Sequence, residues 1–355
     1  MPFPIEIPAV ANVELVKAVT ARWDSQTKPP GSLGRLETLV GQLALAAGTS
    51  RPTVARKALV VFCADHGVTA EGVSAYPKAV TRQMLLNFLA GGAAINVLCR
   101  QFGLTPLIVD AGVDGEAVDG ALDMRLGRGT ANFVDEPAMS LEQVERALNN
   151  GIALARRIRP EQDIAAVGEM GIGNTTAASA LFCAYSGTAP EAAVGPGTGV
   201  DQAGVLRKAG VVRRALERHR DLIVAREPVS ILAALGGFEI ATMAGFLLGA
   251  AAERLPVVVD GFISSAAAMA SHAIAPAVLP YLLFSHVSAE TAHLRLLRTL
   301  GVRPILDLDM RLGEGSGAAM AMPVLDAAVA LYDGMATFAE GGVSGGQTET
   351  GQRRK

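Results

Sequence analysis

Cysteine is scarce in this chain of 355 residues, and the few cysteines have no pattern that binds metal or builds a disulfide framework. Cys63, Cys99 and Cys183 are odd in number and far apart, and none belongs to a C-x-x-C pair. Such usage fits a reducing compartment. The first eight residues contain three prolines and lack a basic segment followed by an apolar one, so no secretory signal is predicted. We therefore expect a cytoplasmic protein.

Excess charge and paired histidines are absent as well. The chain has 31 Lys and Arg against 34 Asp and Glu, and its pI is near 6.0. It has no cluster of basic residues interleaved with aromatics, so no nucleic-acid partner is expected. Of five histidines, only His66 and His286 lie on loops suited to a site, and no His-x-x-x-His or His-Glu-x-x-His pattern occurs. We predict no metal.

Aromatic residues make up only 5% of the chain, although half of all residues are hydrophobic. The interior is therefore expected to consist of Ala, Val, Leu and Gly, packed closely as in helices laid on a parallel sheet. The apolar stretch 229–252 has the length and hydropathy of a membrane span. Because Glu239 lies in its middle and four glycines weaken an isolated helix, we predict a buried helix and no span. A membrane permease is the alternative that rests on hydropathy alone.

Short apolar runs that end beside an acidic residue recur along the chain, at residues 58–64, 104–109, 164–167 and 257–259. Helical periodicity between them predicts an α/β fold with a parallel, Rossmann-like sheet flanked by helices. Ligands bind beyond the carboxyl ends of such strands, where Asp65 and His66 follow the first run. Adjacent side chains on an extended chain point to opposite sides. These two residues are therefore expected to shape the site or to make structural hydrogen bonds, and not to form a catalytic dyad.

A glycine loop with an acidic residue follows the strand predicted at 164–167. Its sequence is Gly-Glu-Met-Gly-Ile-Gly-Asn-Thr-Thr, residues 168–176, before an alanine-rich helix. Successive backbone N–H groups, two hydroxyls and a helix N-terminus are suited to holding a phosphate, and a plain tight turn is the alternative. The spacing matches neither the P-loop nor the dinucleotide fingerprint.

A second glycine loop, residues 311–317, precedes the apolar run 318–331 and reads Arg-Leu-Gly-Glu-Gly-Ser-Gly. Glycines allow positive φ and close approach of the backbone to a ligand, so Glu314 is placed where a ligand would bind. The alternative is a solvated glutamate in a glycine-rich connection.

These stretches occur in one order with Lys28-Pro29-Pro30-Gly31-Ser32-Leu33-Gly34-Arg35-Leu36-Glu37 and Asp260-Gly261-Phe262. Together they resemble the nicotinate-nucleotide:dimethylbenzimidazole phosphoribosyltransferase family, from about Lys28 to about Tyr332. The resemblance implies transfer of 5-phosphoribose from nicotinate mononucleotide to 5,6-dimethylbenzimidazole. The products would be nicotinate and α-ribazole 5′-phosphate, with inversion at the anomeric carbon, for the lower-ligand nucleotide of cobalamin.

The resemblance also implies roles for single residues. Glu314 would be the general base, and Glu169 would lie in the same catalytic site. Substrate would be bound by Gly171, Gly173, Asn174, Thr175, Lys208, Asp260, Gly261, Ser288, Arg311 and Leu312, and the aromatic base by Ser74, Tyr76, Gln83 and Met84. No cofactor is expected, and a single acid after residues 257–259 argues against the metal-bound pyrophosphate of related enzymes. A phosphate-binding module without catalysis is the competing hypothesis, and it would not need Glu314.

The resemblance further suggests a homodimer and a small helical lobe built from both chain ends. We predict a lobe at 1–50, an α/β catalytic domain at 51–318, a helix at 319–340 that returns to the lobe, and a disordered tail at 341–355. The tail is rich in Gly, Ser, Gln and Thr.

Overall fold

Strand β1 lies in the middle of a parallel sheet of six strands. The computed structural model describes residues 3–197 and 199–344. The strands are β1 (Lys57–Ala64), β2 (Leu104–Gly112), β3 (Leu122–Asp123), β4 (Ile164–Met170), β5 (Val257–Val259) and β6 (Leu282–Phe284), in the order β3-β2-β1-β4-β5-β6. All five pairings are parallel. A two-stranded parallel sheet, β7 (His286–Val287) with β8 (Leu306–Asp307), follows. The predicted parallel α/β sheet is confirmed.

The order of the strands reverses between β1 and β4. From β1 the chain moves outward to β2 and β3, then returns to place β4 beside β1 before continuing to β5 and β6 on the other side. In open α/β sheets, ligands bind beyond the carboxyl ends of the strands at this switch point. The residues that follow β1 and β4, beginning at Asp65 and Gly171, therefore lie where a ligand is expected.

Helices cover both faces of the sheet. They are α1 (Val13–Ser25), α2 (Arg35–Ala47), α3 (Val80–Ala90), α4 (Ala94–Phe102), α5 (Leu141–Ile158), α6 (Asn174–Ser186), α7 (Pro190–Ala193), α8 (Gln202–Arg218), α9 (Arg220–Ala225), α10 (Pro228–Leu235), α11 (Phe238–Ala252), α12 (Phe262–Ile274), α13 (His293–Thr299), α14 (Ser316–Gly334) and α15 (Phe338–Gly341). Side chains alternate along β1: Val60 and Phe62 pack with α5, α6, α11 and α12, whereas Val61 and Cys63 pack with α2, α4 and α14. This alternation follows from the two-residue period of a strand.

The apolar stretch 229–252 forms α10 and α11, and every residue from Phe238 to Ala251 is buried in the protein core. The predicted burial is confirmed, but the single predicted helix is divided into two at Gly236 and Gly237. Val80–Phe102 is long and apolar enough to cross a membrane by length and composition. Gly91, in the left-handed conformation at φ 80°, ends α3 and separates it from α4. Buried side chains of both helices belong to the same hydrophobic core cluster as side chains of β1.

The first helix, α1, contacts the end of α14. Arg22 Nε and Gln26 Nε2 in and after α1 donate hydrogen bonds of 3.1 Å and 2.8 Å to the carbonyl oxygen of Tyr332, near the end of α14. Instead of the single helix predicted at 319–340, α14 and the short α15 occupy this region. Of the predicted tail, Gly341 ends α15, and residues 345–355 lie outside the described residues.

Candidate active site

Glu314 lies in a loop of three consecutive left-handed residues directly before α14. Its φ is 62°, between Gly313 at 84° and Gly315 at 87°. A non-glycine residue in this region costs about 1–2 kcal/mol, so the surrounding contacts must hold it there. The side chain is buried, and Oε2 accepts a hydrogen bond of 3.4 Å from the backbone N–H of Ile95 in the first turn of α4. Glu314 is therefore a fixed, enclosed carboxyl group and not a solvated one.

The surroundings of Glu314 favour its protonated form. Burial raises the pKa of the carboxyl, and the negative charge of Asp260 raises it further. The hydrogen bond from the N–H of Ile95 opposes both effects. A carboxylate with a raised pKa is a better proton acceptor than one in water, which suits a general base.

Glu169 belongs to β4 and lies next to the Glu314 loop. Its side chain is buried, and Oε2 accepts a hydrogen bond from Asn174 Nδ2. Burial, followed by the charges of Asp260 and Glu239, raises the pKa of Glu169 to about 8. At neutral pH the carboxyl is therefore mostly protonated, and its neutral form adds no like charge beside Glu314.

The two glycine loops pack directly on each other. A Cβ at Gly168 would overlap the backbone of Glu314 and Gly315, and a Cβ at Gly313 would lie 2.6 Å from Glu169 Oε1. Only residues without a side chain permit this approach. The structure thus places Glu169 and Glu314 on two loops that are in direct contact.

A buried lysine of α8 reaches the start of α6, beside the first glycine loop. Lys208 Nζ donates to Thr175 Oγ1 at 3.0 Å and to the carbonyl oxygen of Gly195 at 3.2 Å. Burial lowers the pKa of Lys208 to about 8, and the carboxylate of Glu290 opposes this effect. An ammonium group, a hydroxyl and a helix N-terminus at one place form an environment that favours an anion.

Ser288 and Arg311 belong to loops that border this region. The N–H of Ser288 donates to His293 Nδ1 at 2.8 Å, and Ser288 Oγ accepts from the N–H of Glu290 at 3.3 Å. Arg311 Nη1 donates to the carbonyl oxygen of Gly197 at 3.3 Å. Burial raises the pKa of Glu290, while the charges of Lys208 and Arg311 lower it, so these groups lie within reach of one another.

The residues expected to bind the aromatic base occupy the loop before α3 and the start of that helix. Ser74 Oγ accepts from the N–H of Tyr76 at 3.1 Å, and the Tyr76 side chain is 54% exposed. Gln83 lines a cavity of about 360 Å³ with Asp65, Lys78, Ala79, Arg82, Leu86 and Asp114. Met84 is half-buried against the core. Leu312 is 57% exposed.

Asp65 and His66 diverge, as adjacent residues on an extended chain do. Asp65 Oδ2 accepts from the N–H of Asp114 at 2.8 Å, whereas His66 Nε2 lies 2.6 Å from Glu239 Oε1. The prediction that they form no dyad is confirmed. His66 and Glu239 are both fully buried, and their pairing was missed from the sequence. The available signal was a glutamate within an apolar helix, which is almost never buried without a partner.

Across the described ranges 3–197 and 199–344, no group of three or more His, Cys, Asp or Glu side chains is arranged to hold a metal ion. Asp260 and Gly261 follow β5 at the same edge of the sheet as the glycine loops. Asp260 is buried and bonded to the backbone at the start of α14.

Residues 9–343 match a family model described as a phosphoribosyltransferase, which defines the class of the protein. The chain is 48% identical over 336 residues to the nicotinate-nucleotide–dimethylbenzimidazole phosphoribosyltransferase of Solidesulfovibrio magneticus, covering 94% of this chain and 95% of that protein. It is 49% identical over 335 residues to the enzyme of the same name from Ralstonia nicotianae, covering 93% and 94%. The crystal structure of CobT from Thermus thermophilus superimposes with a TM-score of 0.89 at 47% identity, covering 94% of this chain and 100% of that one. The chain belongs to the nicotinate-nucleotide–dimethylbenzimidazole phosphoribosyltransferase family.

Proposed function

We propose that the protein transfers the 5-phosphoribosyl group of nicotinate mononucleotide to 5,6-dimethylbenzimidazole. The products are nicotinate and α-ribazole 5′-phosphate, with inversion at the anomeric carbon, and the reaction serves assembly of the cobalamin lower ligand. Family membership supports this function. The observation that carries the mechanism is the position of Glu314, buried and held in a left-handed turn beside Glu169 at the switch point of the sheet.

The chemistry needs one base and no acid. Nicotinate is bonded to the anomeric carbon through its ring nitrogen, which carries a positive charge. When the C–N bond breaks, its electron pair neutralises that nitrogen, so the leaving group departs without a proton. One nitrogen of dimethylbenzimidazole attacks the oxocarbenium-like carbon from the opposite face, and the proton on its other nitrogen passes to Glu314. General base catalysis of this kind contributes about 10²-fold to 10⁴-fold.

The nucleotide phosphate binds at the start of α6. The backbone N–H groups of the loop at Gly171 and Gly173, the side chains of Asn174 and Thr175, and the ammonium of Lys208 supply its ligands. Ser288 contributes its hydroxyl. The position of Lys208, within 3.0 Å of Thr175 Oγ1, supports this assignment.

The aromatic base lies against Ser74, Tyr76, Gln83, Met84 and Leu312, with one nitrogen towards the reacting carbon and the N–H of the other nitrogen towards Glu314. Holding the two rings on either side of one carbon contributes through orientation, with effective molarities of roughly 10⁵ M in well-aligned cases. The protein acts in the cytoplasm as a homodimer. Residues 1–50 and 319–340 form the small lobe beside the catalytic domain.

The test is to incubate the purified protein with nicotinate mononucleotide and 5,6-dimethylbenzimidazole without added metal, and to follow both products by chromatography. Stoichiometric nicotinate and α-ribazole 5′-phosphate are expected. The variant Glu314→Gln should bind nicotinate mononucleotide normally and lose turnover by at least about 10²-fold. The matched control is Glu145→Gln, an exposed carboxyl on α5, which should retain full turnover.

Two outcomes would contradict the proposal. Near-normal turnover in Glu314→Gln would remove Glu314 from the role of base. Absence of product with every aromatic base, together with tight binding of nicotinate mononucleotide, would favour the phosphate-binding module without catalysis.

A further inference from the structure

Asp260 ties the end of β5 to the loop that carries Glu314. Its side chain is 2% exposed, and both carboxyl oxygens accept hydrogen bonds from backbone N–H groups at the start of α14. Oδ2 accepts from Gly315 at 3.2 Å, and Oδ1 accepts from Ala318 at 3.0 Å. Asp260 therefore caps a helix that begins far from it in the sequence.

The start of α14 needs a cap from elsewhere. The first N–H groups of a helix have no partner within the helix, and a side chain at the preceding position usually supplies one. That position is Gly315, which has no side chain, and no local side chain caps the helix. Asp260 supplies the missing acceptor from the neighbouring strand, and its negative charge lies where the helix dipole favours it.

The Glu314 loop is otherwise held by few bonds. The N–H of Glu314 donates to the carbonyl oxygen of Glu169 at 3.2 Å, and the N–H of Ser316 donates to the carbonyl oxygen of Gly313 at 2.9 Å. Beyond Glu314, the bonds to Asp260 fix the adjacent peptide and the first turn of the helix. Since Glu314 adopts a conformation that a non-glycine residue avoids, the removal of one anchor should let the loop relax.

The groups that face Asp260 come from three elements. His286 Nδ1, from β7, lies 3.9 Å from Asp260 Oδ1. A Cβ at Gly317 of α14 would overlap the His286 ring, so the helix start is packed on that ring. The charge of Asp260 in turn raises the pKa of Glu314 and of Glu169 on β4.

We propose that Asp260 is a positioning residue for the base: it holds Glu314 in reacting geometry through the backbone of Gly315 and Ala318, and it does not touch the substrate. The proposal rests on the proposed function of Glu314 and adds to it. It assigns to Asp260 a role other than the substrate binding that the family resemblance implies.

The test compares Asp260→Asn with Asp110→Asn. An amide has one acceptor oxygen, so Asp260→Asn must lose one of its two backbone bonds. Asp110, in β2, is the matched control because it is equally buried and also accepts two backbone N–H groups, from Gly112 and Val113, both on Oδ1. Its amide can keep both bonds, and neither bond reaches the Glu314 loop.

In Asp260→Asn, kcat should fall by about 10²-fold, because a base misplaced by about 1 Å loses that much. The KM for nicotinate mononucleotide should change by less than about threefold. The acid limb of the pH profile of kcat should move to lower pH, because the charge of Asp260, which raises the pKa of Glu314, is gone. Asp110→Asn should keep the wild-type kcat, KM and acid limb. In the Glu314→Gln background, Asp260→Asn should lower the residual turnover by less than about threefold.

A raised KM with unchanged kcat and an unmoved acid limb would overturn the proposal and return Asp260 to substrate binding. A further loss of turnover of about 10²-fold on adding Asp260→Asn to Glu314→Gln would also overturn the proposal. Failure of the proposed function would appear as an inactive wild-type protein. Failure of the present proposal would appear only in the variants of an active protein, so the two can be distinguished. If Asp260→Asn does not fold, Asp260→Ser provides a shorter acceptor for the same comparison. Loss of folding in both variants would contradict the proposal, because it would assign Asp260 to the whole fold and not to one loop.

Discussion

The backbone N–H of Glu314 donates a hydrogen bond to the backbone carbonyl oxygen of Glu169 across 3.2 Å. This bond joins the loop before α14 to the end of β4, so the two acidic glycine loops are parts of one site. The pKa of Glu169 is raised to about 8, and the pKa of Glu314 is also raised. One neutral carboxyl beside a second one that accepts a proton is an arrangement suited to base catalysis.

The close packing of the two loops predicts that Gly168→Ala impairs catalysis. A Cβ at this position would overlap the backbone of Glu314 and Gly315, which cannot move aside as a flexible side chain would. Turnover should fall by about 10²-fold, as expected for displacement of a catalytic group by about 1 Å. The measurement is kcat at saturating substrates. Gly210→Ala on α8 is the control, because nothing lies within 4 Å of its Cβ, and it should retain wild-type turnover.

The raised pKa of Glu169 predicts a loss of stability as pH rises. The folded chain holds a proton up to about pH 8, whereas the unfolded chain loses it near 4.5, so the free energy of unfolding should fall between these values. Each unit of pKa difference contributes about 1.4 kcal/mol to this change. Glu169→Gln stays neutral and removes the effect. Denaturant unfolding measures this at pH 5 and pH 8. The free energy of unfolding of Glu169→Gln, relative to that of the wild type, should be higher at pH 8 than at pH 5. The same difference between variant and wild type at both pH values would contradict a raised pKa of Glu169.

The buried pair of His66 and Glu239 predicts a large structural effect. Removing one partner of a fully buried pair costs about 3–5 kcal/mol, because the other polar group is left without a partner. Glu239→Leu should lower the free energy of unfolding by that amount, measured in urea. Adding His66→Phe should recover part of the loss. The control is the exposed pair of Glu14 and Lys17, where Glu14→Gln should cost less than about 1 kcal/mol. An equal loss in the free energy of unfolding for Glu239→Leu and Glu14→Gln would show that the buried pair is not stabilising.

The position of Lys208 predicts a specific effect on nucleotide affinity. A charged hydrogen bond to phosphate contributes about 1.5–3 kcal/mol, so Lys208→Gln should weaken binding of nicotinate mononucleotide by about 10-fold to 100-fold. Because burial lowers the pKa of Lys208 to about 8, wild-type affinity should fall as pH rises above that value, and the variant should show no such change. Calorimetric titration measures both. Arg218→Gln, an exposed cation on the same helix, should bind as tightly as the wild type. A pH-independent wild-type affinity would remove Lys208 from the phosphate site.

Much of the fold was predictable because its signals are local. Apolar runs such as 58–64 are buried on both faces of a parallel sheet, and glycines mark the places where backbone must take positive φ or approach closely. The same signals identified the loops at Gly168 and Gly313. The membrane alternative for 229–252 was also rejected on local grounds, because Glu239 and four glycines lie within that run.

By itself, the sequence determined four of the strands, β1, β2, β4 and β5, and the two glycine loops that carry Glu169 and Glu314. Apolar runs and glycine positions are properties of neighbouring residues, whereas the short strands β3, β6, β7 and β8 carry too few residues for such a signal. Only the tertiary structure decided that the Glu169 and Glu314 loops contact each other directly, that Glu239 pairs with His66, and that Asp260 caps α14. Each of these contacts joins residues on different strands or helices. They depend on the strand order that places β1, β4 and β5 side by side, and no local pattern in the sequence specifies that order.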